Sequence, residues 1–207
     1  MKLILCFLLA YLIGAIPSGV WIGQWFYHKD IRQFGSHNIG TTNAYRVLGP
    51  IGGSIVLVMD ILKGTLGASL PYLAGYPQHW LILVVGLAAV LGHTFSIFIG
   101  FKGGKAVATS AGILLAYNPT FFVIACAIFF SLVCLTSMVS IASTVGMGII
   151  TAWSLVYHDW LLSTVALALW IVFLVRHRDN FKRIKNGTEN MVPFGLGKYL
   201  RDKKAQS

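Results

Sequence analysis

Acidic side chains are scarce in this chain of 207 residues: six Asp and Glu stand against sixteen Lys and Arg. Charged residues of all kinds make up only 11%, whereas a soluble domain carries about 25%. That scarcity excludes an ordinary water-soluble enzyme. Cysteine is limited to Cys6, Cys126 and Cys134, all within apolar runs. They read as small buried hydrophobes, which excludes a disulfide framework. There is no CxxC and no Cys/His cluster, so neither a metal nor another cofactor is expected. No hydrophilic block is large enough for a second domain, and residues 1–207 read as one domain. Period-two alternation is absent, which argues against a membrane β-barrel. Also missing are a Ser-His-Asp signature and an HxxxxD arrangement, the device many acyltransferases use to activate a hydroxyl.

What is present is apolar sequence, 57% of the chain, in runs of roughly 20 residues that suit membrane-spanning helices. Seven segments stand out, at about 3–25, 51–75, 79–99, 106–117, 120–136, 141–157 and 160–176. The expectation is an all-α, polytopic integral membrane protein with seven transmembrane helices. The fourth segment is short: at ~1.5 Å per residue it cannot cross ~30 Å alone. Residues 1–25 read as a retained helix rather than a cleaved signal, because the basic n-region is minimal and "GAIPSG" is a poor cleavage site.

Orientation follows from the loops. "GYPQHW", "AYNPTF" and "VYHDW" contain no Lys or Arg, whereas the other connections hold Lys29, Arg32, Arg46, Lys102 and Lys105, and the tail from Arg176 is strongly basic. Basic loops collect in the cytoplasm, which places the amino terminus outside and the carboxyl terminus inside; Lys2 is the dissenting residue. The net charge of +10, in a chain this apolar, points to membrane lipids or small anionic substrates rather than nucleic acid. Asn186-Gly187-Thr188 matches a glycosylation sequon, but its place in a basic, cytoplasmic tail makes it a chance match.

Five polar features interrupt the apolar pattern. "GFKGGKAVAT" (100–109) holds Gly100, Gly103 and Gly104 beside Lys102 and Lys105, ahead of Thr109. Glycines at positive φ can turn successive N–H groups into one anion-binding nest, next to a helix N-terminus that favours phosphate. The competing reading is a hairpin with ordinary positive-inside lysines. "FGSHNIGTTNAYRVLG" (34–49) offers Ser36, Asn38, Asn43 and Arg46 at close spacing. It reads either as a loop dipping into the bundle to bind a polar anion, or as an interfacial helix capped by Thr41 or Thr42. Asp60 and Lys63 share one helix face within an apolar run, so they pair with each other or line a polar interior. His93 has no acid near it in the sequence and reads as a buried hydrogen-bonder. Finally, Ser140 and Ser143, and His177 and Asn180, stand at cytoplasmic ends of apolar segments.

Taken together, "GSHNIGTTNAYR", "DILKG", "GHTFSIFIGFKGGKAVAT", "VSIAS" and "RHRDNFKRIKNGTE" resemble, in order and over essentially the whole chain, the PlsY family of bacterial acyl-phosphate:glycerol-3-phosphate acyltransferases. The resemblance implies a seven-helix enzyme of the bacterial inner membrane whose site faces the cytoplasm. It would transfer a fatty acyl group from acyl phosphate to the 1-position of glycerol 3-phosphate, giving lysophosphatidic acid and phosphate for phospholipid synthesis. Neither acyl-CoA nor acyl carrier protein would serve as donor. Ser36, Asn38, Asn43, Arg46, Lys105, Ser140, Ser143, His177 and Asn180 would bind glycerol 3-phosphate. Gly100, Lys102, Gly103, Gly104, Lys105 and Thr109 would bind acyl phosphate. Lys105 and His177 would be catalytic, with the base either His177 or the acceptor's own phosphate, and Asp60, Lys63 and His93 would form a polar interior. Two positions depart from the family's usual glycines, His37 and Ala106, so neither is expected to require positive φ. The rival class is a transporter of phosphate or a phosphorylated metabolite, which basic loops would also suit; a purely structural role leaves the one-sided polar clusters unexplained.

Overall fold

The computed structural model describes residues 1–206; its regular secondary structure among them is helical, in two compact units, Met1–Pro119 and the residues from Thr120 onward. The first unit begins with α1 (Lys2–Ala15) and α2 (Ser18–Tyr27). These are two helices where one apolar run suggests a single helix. The axis bends by 44° between them because Pro17 has no N–H to continue the ladder. A loop with a 3₁₀ turn at Ile31–Gln33 leads to α3 (Thr41–Leu73). This helix is broken at Gly49, whose φ of 78° only glycine adopts without strain, immediately before Pro50. Then come α4 (Trp80–Thr94), a 3₁₀ turn at Ile97–Ile99 and α5 (Val107–Tyr117).

Close helix contacts hold this unit together, and they are made at glycines. A Cβ on Gly64 of α3 would overlap the Thr109 carbonyl of α5, and one on Gly112 of α5 would overlap the Ile61 carbonyl of α3. Thr65 Oγ1 donates to Gly112 O across the same contact, at 2.9 Å. Where α1 crosses α4, Gly14 and Gly92 likewise lie against backbone. Between helices in lipid there is no hydrophobic driving force, so backbone approach at small residues supplies the packing.

The second unit contains α6 (Pro119–Thr136), α7 (Val139–Val156), α8 (Trp160–Arg176), α9 (Arg178–Lys185) and α10 (Leu196–Gln206). Asp159 caps α8 by accepting from Leu162 N at 3.0 Å. Ser163 Oγ donates to Ser154 Oγ at 2.9 Å and joins α7 to α8. The chain bends by 55° from α8 to α9.

Four helical segments, 41–73, 80–99, 119–136 and 139–156, are long and apolar enough to span a membrane, or six if each bent pair is one span. Seven are expected from the sequence; the shortfall is α5, apolar but only 11 residues long. The apolar residues left exposed, among them Leu8, Val58, Leu62, Leu66, Val123 and Phe130, form faces suited to lipid. The same exposure corrects the reading of the cysteines. All three are free, but only Cys6 is buried; Cys126 is half-buried and Cys134 exposed, both on α6.

Candidate active site

In the first unit the polar stretch 34–49 is partly loop and partly helix. Asn43, on the first turn of α3, organises the loop. Its Oδ1 accepts from Ser36 N at 2.8 Å, and its Nδ2 donates to the carbonyls of Ile31, Phe34 and Asn38. One buried amide therefore shapes the whole turn, with Asn38 Oδ1 accepting from Gly40 N at 2.9 Å. Gly40, not Thr41 or Thr42, is the N-cap. Earlier in the loop, Arg32 hydrogen-bonds Asp30 and holds its carboxyl below the usual carboxylate range. Ser36 is half-buried and Arg46 exposed on α3. His37 has φ 57°, contrary to the expectation that a non-glycine residue excludes positive φ there. Histidine is one of the side chains that visits this region, and its Nδ1 lies 3.0 Å from the Arg32 carbonyl.

Asp60 is the centre of the first unit's polar interior. It is 2% exposed and pairs with Lys63 at 2.7 Å. Its Oδ2 accepts from Thr41 Oγ1 at 3.2 Å. His93 Nδ1 lies 3.9 Å from its Oδ1, so the acid that His93 lacks locally comes from α3. Lys63 also donates to Ile16 O at 2.8 Å, at the bend before Pro17, an oxygen that accepts from Ser18 N as well. The pair, on α3, is thus bonded to the bend between α1 and α2 and lies beside His93 of α4, as burial of two charges demands.

His93 connects this network to the glycine loop. Gly103 N donates to Thr94 O at 3.1 Å, and Gly104 N to His93 O at 3.0 Å. A Cβ on Gly103 would overlap the backbone of His93 and Thr94, and one on Gly104 the His93 ring. These glycines permit close approach. They are not at positive φ, and their N–H groups point at carbonyls, so the expected nest is not formed at 103 and 104. Left-handed backbone is found instead at Gly100 (φ 67°), Phe101 (φ 61°) and Ala106 (φ 58°). Ala106 overturns the expectation that alanine excludes positive φ at that position: it is the N-cap of α5 and turns the chain into that helix. Lys102 is exposed and Lys105 half-buried. Thr109 is fully buried behind the loop, its hydroxyl without a hydrogen-bond partner among the described residues.

The second unit brings Ser140, Ser143, His177 and Asn180 together. His177 Nδ1 lies 2.8 Å from Phe173 O. A carbonyl only accepts, so Nδ1 carries the proton, and in the neutral ring Nε2 presents a lone pair. Ser143 Oγ is 3.3 Å from Nε2 and 3.2 Å from Ser140 O. The Ser143 hydroxyl, the His177 ring and the Phe173 carbonyl thus lie in one line of contacts. The organising acid is Glu189, which sequence reasoning passed over. Its Oε1 accepts from Ser140 Oγ at 2.9 Å and Asn180 Nδ2 at 2.6 Å, and its Oε2 from Arg183 Nε at 2.8 Å. One signal was available: Glu189 is the chain's single glutamate, in a tail where Lys and Arg far outnumber acids, and in the structure it is 4% exposed.

Fold and side-chain clusters together define a polytopic helical membrane protein with buried polar groups in each of its two units. Comparison with known proteins makes the class specific. Residues 4–187 match the family model described as glycerol-3-phosphate acyltransferase. A glycerol-3-phosphate acyltransferase of Lacticaseibacillus casei is 76% identical over the full length of both chains. That of Enterococcus faecalis is 55% identical over 99% of each. The crystal structure of PlsY, an integral membrane glycerol 3-phosphate acyltransferase, in its glycerol 3-phosphate form, superposes with a TM-score of 0.86 at 30% identity, covering 93% of this chain and 96% of that one. Its lysophosphatidic acid form superposes with a TM-score of 0.83. The chain belongs to the PlsY family of glycerol-3-phosphate acyltransferases.

Proposed function

We propose that this enzyme transfers a fatty acyl group from acyl phosphate to the 1-hydroxyl of glycerol 3-phosphate, giving lysophosphatidic acid and phosphate. The observation that carries the choice of donor is the second-unit cluster. His177 Nδ1 faces the Phe173 carbonyl, and its Nε2 faces the Ser143 hydroxyl, so the cluster offers a hydrogen-bonding cradle around one imidazole. Such a site suits a donor that is already reactive, and an acyl phosphate is a mixed anhydride with a good leaving group. The acceptor oxygen forms a bond to the acyl carbon, and the anhydride C–O bond breaks with its electron pair leaving on phosphate. The hydroxyl proton has two acceptors in this scheme, His177 Nε2 and the phosphate of the acceptor itself. Catalysis then rests on positioning and on stabilising developing negative charge.

The acceptor residues in this reading are Ser36, Asn38, Asn43, Arg46, Lys105, Ser140, Ser143, His177 and Asn180. Gly100, Lys102, Gly103, Gly104, Lys105 and Thr109 form the donor region, with Lys105 placed for the departing charge. Asp60, Lys63 and His93 hold the glycine loop in place from behind. Residues 1–207 act as one acyltransferase domain in the bacterial inner membrane, with seven spans, the amino terminus outside and the site facing the cytoplasm.

Purified protein should release phosphate from acyl phosphate only when glycerol 3-phosphate is present, and should give no product from acyl-CoA or acyl carrier protein. Equal turnover with acyl-CoA would overturn the donor assignment. Phosphate or glycerol 3-phosphate uptake into sealed vesicles without acyl transfer would favour a transporter.

A further inference from the structure

The carboxyl-terminal helix α10 (Leu196–Gln206) lies beyond residue 187, the last residue that the family model matches. Its sequence "LGKYLRDKKAQ" carries Lys198, Arg201, Lys203 and Lys204 against one acid, Asp202. Lys198 pairs with Asp202 at 2.5 Å, and with four cations against one acid the helix is net positive. Leu196, Tyr199 and Leu200 stand at i, i+3 and i+4, on one face. All three are about half exposed or more, as is Phe194 just before the helix. A short helix that leaves an apolar stripe uncovered beside a row of cations has the composition of an interfacial segment.

Its attachment says where that stripe is held. Val192 N donates to Ser137 O at 2.8 Å, and Lys198 N to Ser137 Oγ at 2.9 Å. Gly195, at φ 94°, and Gly197 lie so close to the carbonyls of Cys134 and Thr136 that a Cβ at either would overlap backbone. Cys134–Thr136 closes α6, a helix long and apolar enough to span a membrane, and Ser137 follows it directly. The root of α10 is therefore fixed at the end of a membrane span, where lipid headgroups begin. The same end of the unit carries the basic helix α9, with Lys182, Arg183 and Lys185.

We propose that α10 docks on an anionic lipid surface. Leu196, Tyr199 and Leu200 enter the headgroup boundary, and Arg201, Lys203 and Lys204 meet lipid phosphates with their stems laid along the apolar stripe. Tethering at Ser137 makes docking intramolecular, so a short stripe is sufficient. Arg201 Nη1 also donates to the Glu189 carbonyl at 3.4 Å, so a docked helix braces the segment whose side chain holds Ser140 and Asn180.

The test uses the full chain with Cys6, Cys126 and Cys134 replaced by serine, and with Leu200→Cys carrying a spin label. It is reconstituted in vesicles of phosphatidylcholine alone or mixed with phosphatidylglycerol. Relaxation by oxygen against an aqueous nickel complex reports depth. The label should sit at acyl-chain depth with phosphatidylglycerol, and should move toward water in phosphatidylcholine or at high salt. Lys203→Gln with Lys204→Gln should lower the docking equilibrium by about 25-fold, about fivefold per charge. Tyr199→Cys reports from the same face if Leu200→Cys does not fold. A label in water in both membranes overturns the proposal. So does equal, salt-insensitive depth in both, and so does protection that arises only on adding soluble protein, which would make the occupant a protein partner.

Discussion

Ala106 closes the glycine loop with φ 58° and ψ 17°, a conformation that costs an L-residue about 1–2 kcal/mol. Ala106→Gly removes that strain. It also loses a methyl that is 1% exposed, worth about 0.8 kcal/mol, and adds backbone entropy of about 0.5–1 kcal/mol to the unfolded chain. The terms nearly cancel, so Ala106→Gly should leave stability within about 1 kcal/mol of the parent by thermal denaturation. Ala106→Val should lose more than about 2 kcal/mol, because a β-branched residue resists this region and the site is full. The lysines beside it should also differ. Lys105 is half-buried and Lys102 exposed. Lys105→Ala should lower kcat/KM about 10- to 100-fold, matching loss of a charge-assisted bond of about 1.5–3 kcal/mol. Lys102→Ala should change it by no more than about fivefold, as for an exposed charge. Equal, mild effects in steady-state kinetics would return the loop to an ordinary basic hairpin. Glu189→Gln keeps the shape but loses the charge that Asn180, Ser140 and Arg183 share. It should cost about 1.5–3 kcal/mol of stability and lower kcat together with it, whereas Asp202→Asn, on the exposed side of α10, should do neither.

At the scale of elements, the contact between α3 and α5 depends on two missing side chains. Gly112→Leu places a Cβ in the space of the Ile61 carbonyl, and no rotamer relieves a clash with backbone. We expect a loss of more than about 3 kcal/mol, beyond the usual range for overpacking, seen as poor yield and aggregation in size-exclusion chromatography. Leu66→Ala, on an exposed face of the same α3, should elute as the parent does. The pattern of apolar runs announces these helices, since about 20 apolar residues have few alternatives in lipid. It does not announce their interruptions. The bend at Pro17 and the break at Gly49–Pro50 arise from single residues that a hydropathy pattern averages away, although Pro itself is the available signal.

At the scale of the whole molecule, the charge asymmetry makes a topological prediction. In a cysteine-free background, Lys102→Cys should react with an impermeant maleimide only from the cytoplasmic side of sealed vesicles, and His158→Cys, in a turn free of Lys and Arg, only from the other. Labelling at 102 from outside would reverse the orientation. Helical class, membrane residence and family are properties the sequence determined by itself, because hydropathy, Lys/Arg bias and motif order are linear features. So was the shared helix face of Asp60 and Lys63, which needs only helical spacing, whereas their ion pair at 2.7 Å is read from the structure. Tertiary structure alone decided the rest. His93 acquires Asp60 from another helix, Gly103 and Gly104 serve close approach and not a nest, and Glu189 gathers Ser140, Asn180 and Arg183. Those partners lie up to 49 residues apart in the chain, and a pairing made across helices is set by which faces pack together, information that no local spacing carries.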